Sequence, residues 1–281
     1  MPAGPKCNPP AGRACASPPF GSKIFLLFVI LPRQKGGIRV NFLGSLISLA
    51  SAGMLMLSSS LMTLAPQHDI EGLLFLCNRE WTIAESYVPA SLREADVPGQ
   101  VRRMRPEAAA ALEEMFAACQ EETGVTLMSI SGYRSYASQK NIYQRKLDSV
   151  RGNVAKAQQY VAPPGTSEHT LGLAMDIGQK KKPHLTEAFA ATEGGVWARE
   201  NCWRFGFILR YDQAWEEITG YSYEPWHFRY VGRELAKEIH DSGLPLELWL
   251  PGYRTRRLLA LLGVPEAEAV SDPVPSSEPN S

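Results

Sequence analysis

Residues 167–176 read SEHTLGLAMD, and this stretch carries an acidic residue into an apolar segment. His169 and Asp176 lie seven positions apart, and the apolar residues 173–175 lead directly into the aspartate, as in a chain that enters a core. A buried carboxylate costs free energy unless a positive group meets it. The partner of Asp176 is therefore expected to be either an arginine or a metal ion.

The bulk composition is that of a globular protein without a nucleic-acid surface. The chain has 281 residues, of which 29 are basic and 29 acidic, so the formal net charge is zero. A nucleic-acid partner would usually require a basic excess. The hydrophobic fraction of 44% suits a packed core. The length predicts one main domain with flanking segments.

The five cysteines predict neither a thiolate metal site nor a disulfide framework. No two of them form a C-x-x-C pair, and their number is odd. Cys119 and Cys202 are therefore expected to be small hydrophobic residues of the core.

The two ends of the chain differ in composition from its middle. Residues 1–40 are rich in Pro and Gly and are expected to form a disordered leader. The segment 41–65 contains no charged residue and follows several basic ones, which is typical of an export signal or signal anchor; a buried core helix is the alternative. The acidic, Pro- and Ser-rich tail at 263–281 is expected to be disordered. These patterns predict a working domain at 70–262 and an exported protein, in the periplasm or at the outer face of the cell membrane, with anchoring through 41–65 as one form of that targeting.

The middle of the chain predicts an α+β fold with a largely antiparallel sheet. The clearest helix is 106–124, where Pro106 suits the first position and Gly124 the end, and its apolar face comprises Leu112, Met115, Phe116 and Cys119. Further helices are expected at 138–150, 194–206 and 233–243. Strands are expected at 125–131, 171–178, 207–210 and 226–232. Helices and strands mix without a repeated βαβ rhythm, which favours α+β.

A third metal ligand is needed, because a catalytic zinc site keeps three protein ligands and one open position. His240 is expected on an exposed helix and His184 in a basic loop, so neither is favoured. His227 lies between aromatic residues, on the strand face that also carries Arg229, and Glu224 precedes it by three positions. A lone histidine on a strand is usually a core or surface residue, but the nearby acid and the separate H-x6-D pair favour a metal ligand.

Two more charged residues are candidates for catalysis. Glu224 could accept the proton of a water that attacks a carbonyl. Because positions three apart on a regular strand face opposite sides, the chain must bend between Glu224 and His227, and Pro225 is well placed to bend it. Arg134 follows a predicted strand; its position alone suggests a solvated group, but a peptidase that cuts near a free C-terminus needs such a cation.

Together these residues resemble the VanY-like D-alanyl-D-alanine carboxypeptidases, zinc peptidases that trim bacterial cell-wall peptides. The family pattern S-x-H-x-x-G-x-A-x-D, followed later by E-x-W-H, stands here as SEHTLGLAMD and EPWH. The family's SGYRS…Q stands as residues 131–139, and the resemblance extends over roughly residues 72–250.

The resemblance implies a fold and a set of site residues. The fold would be a small α+β domain of the hedgehog/D-Ala-D-Ala peptidase type, whose antiparallel sheet carries the zinc ion. It implies three zinc ligands, namely His169, Asp176 and His227. Glu224 would be the general base and then the acid, and Arg134 would bind the oxyanion or the substrate carboxylate. Three further side chains would line the substrate site, namely Ser167, Gln139 and Trp226.

The function expected on this basis is zinc-dependent removal of a C-terminal D-alanine from peptidoglycan stem peptides. An L,D-carboxypeptidase or a cell-wall endopeptidase with the same zinc site is the nearest alternative. A non-catalytic, zinc-containing module that binds wall peptides is a further alternative, although such a module would have no need of Glu224. A structural envelope protein with an incidental His/Asp pair would bind no metal.

Overall fold

A computed structural model of the protein describes residues 65–180 and 185–264. The predictions for the leader at 1–40, for the segment 41–65 apart from Ala65, for His184, and for the tail beyond residue 264 concern residues outside this description. Among the described helices, none combines the length and the apolar character needed to cross a membrane.

The centre of the domain is a four-stranded sheet. Its strands are β3 (Leu127–Ser131), β4 (Ala174–Gln179), β5 (Phe207–Leu209) and β6 (His227–Tyr230), in the spatial order β3-β4-β6-β5. Every neighbouring pair is antiparallel. A separate ribbon pairs β1 (Arg93–Glu94) with β2 (Arg103–Met104). The predicted α+β class with an antiparallel sheet is confirmed.

Seven α-helices surround the sheet in the described part of the chain: α1 (Pro106–Thr123), α2 (Tyr136–Ser149), α3 (Val154–Gln158), α4 (Glu193–Asn201), α5 (Glu216–Thr219), α6 (Arg233–Ser242) and α7 (Leu246–Leu261). Short 3-10 turns lie at Pro66–His68, Glu168–Leu171, Glu187–Ala191, Cys202–Phe205 and Gln213–Trp215. Three of the four predicted helices are confirmed closely as α1, α2 and α6. The predicted helix at 194–206 is shorter, because α4 ends at Asn201 and a 3-10 turn follows, while α3, α5 and α7 were not predicted.

Helix α1 forms where its sequence signals place it. Pro106 occupies the first turn, and Gly124 ends the helix in the left-handed region, with φ of 73° and its amide donating to the Gln120 carbonyl. The predicted apolar face is buried throughout, comprising Leu112, Met115, Phe116 and Cys119. Cys202 is buried as well, so both cysteines lie in the core as predicted.

The sheet separates the main core from the candidate site. Met175, Ile177 and Phe228 belong to the same buried cluster as the apolar face of α1. Successive side chains on a strand alternate between its faces. The alternation turns Asp176 and His227 to the opposite side of the sheet, away from α1.

A second, smaller core lies beside β5. Helices α6 and α7 bury Ile239 and Trp249 there against Ile208 and Val231, and Leu74 from the segment before β1 packs into the same cluster. This packing holds α7 against the outer part of the sheet.

Candidate active site

All the residues predicted to form the site line one cavity of about 360 Å³, namely Arg134, Gln139, Ser167, His169, Asp176, Glu224, Trp226 and His227. The structure therefore brings together side chains that are spread over about a third of the chain. His240 lies elsewhere, exposed on α6 and stacked on Trp203. The role given to each of the eight residues stays a prediction, whereas their convergence is a structural fact.

His169 is presented by a single 3-10 turn, Glu168–Leu171, immediately before β4. Gly172 ends this turn in the left-handed region, with φ of 68°. A side chain at this position would be strained, and its Cβ would meet Leu92 Cδ2 at 2.8 Å. The glycine of the S-x-H-x-x-G motif thus lets the chain turn sharply from the histidine into the buried strand.

The tautomer of His169 is determined by a backbone carbonyl. Its Nδ1 lies 2.8 Å from the Gly132 carbonyl oxygen, and since that oxygen can only accept, Nδ1 carries the proton. Burial, helped by the Arg134 cation, lowers the pKa of His169 to about 4, so the ring is neutral at pH 7. The lone pair of the other nitrogen, Nε2, therefore faces the cavity.

Asp176 and His227 meet across β4 and β6. They are register partners, and Asp176 Oδ1 lies 3.1 Å from His227 Nδ1. The other aspartate oxygen, Oδ2, lies 3.2 Å from His169 Nε2. Burial alone would raise the pKa of Asp176, but the hydrogen bond from His227 outweighs burial and holds this pKa below its usual range.

The three side chains fit a zinc ion. Their ligand atoms all lie within 4.8 Å of one another, and all three residues are buried. His169 Nε2 is a buried acceptor without a hydrogen-bond partner, and it faces a carboxylate oxygen, which is also an acceptor. A cation satisfies two facing acceptors, and imidazole nitrogen and carboxylate oxygen are both ordinary zinc donors.

Glu224 reaches the predicted metal ligands through a tight turn. The His227 amide donates to the Glu224 carbonyl at 3.1 Å, with Pro225 and Trp226 between them, so the bend predicted at Pro225 is present. The turn brings Glu224 Oε2 within 3.8 Å of His227 Nδ1. Burial, with a further contribution from the Asp176 charge, raises the pKa of Glu224 to about 8.

Arg134 lies just after β3, next to Asp176. Its Nη2 is 4.0 Å from Asp176 Oδ2, and its amide donates to the His169 carbonyl. The side chain is 18% exposed, so it is not the solvated group that its position alone suggested. Its Nε is buried without a hydrogen-bond partner, which leaves a donor for a ligand.

The predicted substrate-lining residues surround the same space. Gln139 donates from Nε2 to the Ala162 carbonyl at 2.7 Å, which leaves its buried Oε1 unpaired. Ser167 is buried, and Trp226 is half-buried.

Sequence reasoning missed a buried carboxylate that contacts a predicted metal ligand. Glu168 is fully buried and places Oε2 3.3 Å from His227 Nε2. Burial alone would raise its pKa, but Arg210 and Arg229 outweigh this and lower it. The sequence partly indicated this buried group, because Arg229 was predicted on the same strand face as His227. Glu168 itself could not be singled out, because it occupies a variable position of the motif.

Comparisons with known proteins agree with this geometry. A model of the VanY family, described as D-alanyl-D-alanine carboxypeptidase, matches residues 101–233. YodJ of Bacillus subtilis (strain 168), named as a carboxypeptidase, is 45% identical over 184 residues, which are 63% of this chain and 66% of YodJ. VanXYC of Enterococcus gallinarum, named as a bifunctional D-Ala-D-Ala dipeptidase and carboxypeptidase, is 36% identical over 61% of this chain and 90% of its own length.

Solved structures extend the comparison to the fold. The LdcB LD-carboxypeptidase is 43% identical with a TM-score of 0.59, over 63% of this chain and 84% of LdcB. A mutant of the D,D-pentapeptidase VanY, solved in complex with Zn(II), is 37% identical with a TM-score of 0.55, over 63% of this chain and 98% of that one. The predicted zinc cofactor is confirmed by this complex together with the donor set of the site.

The matches cover different shares of the relatives' own lengths. The match spans slightly less than two thirds of YodJ but nearly all of the solved VanY chain. The matched segments include both halves of the zinc motif and the strands that carry them. The chain therefore belongs to the VanY family of D-alanyl-D-alanine carboxypeptidases.

Proposed function

We propose that the protein is a zinc-dependent carboxypeptidase that removes a C-terminal D-alanine from peptidoglycan stem peptides. The observation that carries the proposal is the convergence of three buried ligand atoms within 4.8 Å, in one cavity with Glu224 and Arg134. The D-Ala-D-Ala carboxypeptidase names of its relatives support the substrate class.

The zinc ion would be held by His169 Nε2, an Asp176 carboxylate oxygen and His227 Nδ1, the atoms that face one another in the cavity. When bound, zinc supplies Lewis-acid chemistry that polarises oxygen atoms. The protein contributes the orientation of these donors, because Gly132 fixes the His169 tautomer and the β4–β6 register fixes the other two.

Glu224 moves the proton in this proposal. Its carboxylate accepts a proton from the water that adds to the scissile carbonyl, and then gives it to the leaving amine as the C–N bond breaks. Burial keeps its pKa near 8 without metal, and a divalent charge nearby favours the ionised form that acts as base. A carboxyl group with a pKa in this range can serve as base and acid near neutral pH.

Arg134 provides the positive charge for the substrate. Its guanidinium lies at the edge of the ligand set with a free buried donor, so it can bind the terminal carboxylate or the developing oxyanion. A cation at this point favours a substrate with a free C-terminus, and hence a carboxypeptidase over an endopeptidase.

A second candidate is an L,D-carboxypeptidase with the same machinery. The observation that favours it is the LdcB LD-carboxypeptidase, at 43% identity. The two activities differ in the stem peptide that they shorten: a pentapeptide ending in D-Ala-D-Ala, or a tetrapeptide whose D-alanine follows an L-centre.

Mass spectrometry of products tests both candidates. Purified zinc-loaded protein is incubated separately with pentapeptide and tetrapeptide muropeptides, and a chelator-treated sample is the control. Loss of one alanine from the pentapeptide supports the D,D activity, and loss from the tetrapeptide alone would transfer the assignment to the second candidate. Absence of both products from zinc-loaded, folded protein would overturn the proposed function.

The proposal extends to the location of the protein. A wall substrate lies outside the cytoplasmic membrane, and the charge-free segment 41–65 after a basic stretch supports export, with the segment acting as a signal or as an anchor. A fusion of residues 1–70 to a reporter that is active only outside the cytoplasm is expected to be active. Activity from a cytoplasmic reporter alone would refute export.

A further inference from the structure

Glu168 lies at the centre of a buried network of charged groups behind the candidate zinc site. Its Oε1 accepts hydrogen bonds from Arg210 Nε and from Arg229 Nη1, both at 2.9 Å. Its Oε2 faces His227 Nε2 at 3.3 Å. The side chains of Glu168 and Arg229 are 0% exposed, and that of Arg210 is 1% exposed. Glu168 thus joins two arginines to the side of His227 that faces away from the metal ligands.

The network continues to two segments that lie outside the family-matched residues 101–233. Arg210 forms a two-point ion pair with Glu247 in the first turn of α7, at 2.9 and 2.5 Å. Arg229 Nη2 donates to the carbonyls of Leu73 and Phe75, at 2.9 and 3.2 Å. Two carboxylates therefore meet two guanidinium groups, and the formal charges of the network balance.

The orientation of the His227 ring depends on both of its nitrogens. Nδ1 faces Asp176 Oδ1 at 3.1 Å, on the side of the ligand set. A half-turn of the ring would bring carbon atoms to the positions of both nitrogens and so remove both contacts. A carboxylate at Nε2 opposes that turn and keeps the proton on Nε2, which leaves the Nδ1 lone pair for the metal.

We propose that Glu168 is a positioning residue that fixes the ring and tautomer of His227, and that Glu247 supports it through Arg210. The proposal rests on the zinc-dependent function given above. In this proposal α7, which lies outside the family-matched residues 101–233, helps to set the affinity of the site for zinc. Removing Glu247 frees one edge of Arg210, so the guanidinium can move away from Glu168 and loosen the carboxylate.

The matched variants are Glu168→Gln, Glu247→Gln and Glu238→Gln. Each replaces one carboxylate by its neutral isostere. Glu238 is the control, because it pairs with Arg256 between α6 and α7 and, at 49% exposed, does not belong to the buried network around Glu168. All three are made in the full chain, stripped of metal, and titrated with zinc against a chromophoric chelator.

Loss of such a supporting contact typically weakens metal binding by about 10- to 100-fold. The zinc dissociation constant of Glu168→Gln is expected to rise by that factor, and that of Glu247→Gln by a smaller one, while Glu238→Gln stays at the wild-type value. Cobalt(II) substitution gives a second readout, because a reoriented His227 changes the visible absorption bands of the metal, whereas a purely structural loss of stability does not.

Each outcome decides a separate question. Wild-type protein that binds no zinc would overturn the proposed function itself. Wild-type protein that binds zinc, together with a Glu168→Gln variant of equal affinity and unchanged cobalt spectrum, would overturn the positioning role. If circular dichroism shows that Glu168→Gln does not fold, Glu247→Gln becomes the test, because Glu247 lies at the partly exposed end of the network. A wild-type zinc affinity of Glu247→Gln would refute the coupling to α7.

Discussion

Asp176 and His227 lie directly opposite each other on antiparallel neighbours, with Asp176 Oδ1 3.1 Å from His227 Nδ1, although 51 positions separate them in the chain. The β4–β6 register alone puts these two predicted metal ligands on one face of the sheet. A slip of one residue would turn one of them into the core. The strand pairing therefore determines the geometry of two predicted zinc ligands, and the turn that enters β4 adds the third, His169.

Glu224 and His227 are expected to have different roles, Glu224 as the general base and His227 as a zinc ligand. Glu224→Gln is expected to lower turnover by about 10² to 10⁴-fold while zinc stays bound, because a general base contributes about that factor and three ligands remain. His227→Ala is expected to lose zinc and activity together. Product mass spectrometry and metal analysis of the same samples check both.

Glu217→Gln is the control for this pair, because Glu217 is an exposed glutamate on α5. It is expected to match the wild type. A Glu224→Gln variant that loses its zinc, beside a His227→Ala variant that keeps it, would show that the two roles are reversed.

Arg134→Lys tests the shape of the cation. Lysine keeps the charge but loses the planar fork and the buried Nε donor, so turnover is expected to fall by about 10²-fold with zinc content unchanged. Steady-state kinetics on a D-Ala-D-Ala-ended peptide measure this. Arg145→Lys, at an exposed position of α2, is the control, and equal kinetics of the two variants would refute the role of Arg134.

Zinc uptake is expected to strengthen with rising pH. Burial opposes the charge on His227, but its hydrogen bonds to Asp176 and Glu168 outweigh burial and raise its pKa to about 9. Zinc must displace the Nδ1 proton, so the apparent affinity should rise by up to about tenfold per pH unit from pH 6 and level off near pH 9. His169, with a pKa of about 4, adds nothing in this range.

Calorimetry in two buffers of different ionisation enthalpy counts the protons released by zinc. At pH 7 the wild type should release at least one. The Glu224→Gln variant removes the other carboxyl group whose pKa is raised, to about 8, and so isolates the contribution of His227. An affinity that is independent of pH between 6 and 8 in this variant would contradict the assignment.

Gly132→Ala tests the support of His169. A Cβ at Gly132 would meet the Arg103 and Val101 carbonyl oxygens at 2.5 and 2.7 Å, so the backbone must shift, and with it the carbonyl that accepts from His169 Nδ1. The expected cost is about 1–3 kcal/mol of stability, with weaker zinc binding. Gly252→Ala, where the nearest atom would lie at 3.7 Å, should leave the melting temperature unchanged or higher, and a melting temperature of Gly132→Ala equal to wild type would contradict the close packing.

Much of the site could be predicted from the sequence because its signals are local. The limits of α1 follow from Pro106 and Gly124, whose effects act within one turn of the chain. The spacing of the motif pointed to His169 and Asp176, and Pro225 pointed to the bend that brings Glu224 to His227. Each of these inferences uses only neighbours in sequence.

The buried ion-pair network next to the site could be recognised only in the tertiary structure. Glu168 meets Arg210 and Arg229, 42 and 61 positions away, and Arg210 meets Glu247, 37 positions away. A charged residue in a sequence is most often solvated, and nothing local shows which of them the fold buries together. The physical reason is that burial, tautomer and ion pairing are set by strand register and helix packing. Only the folded chain therefore decides that Nε2 of His227 faces Glu168 while Nδ1 faces Asp176.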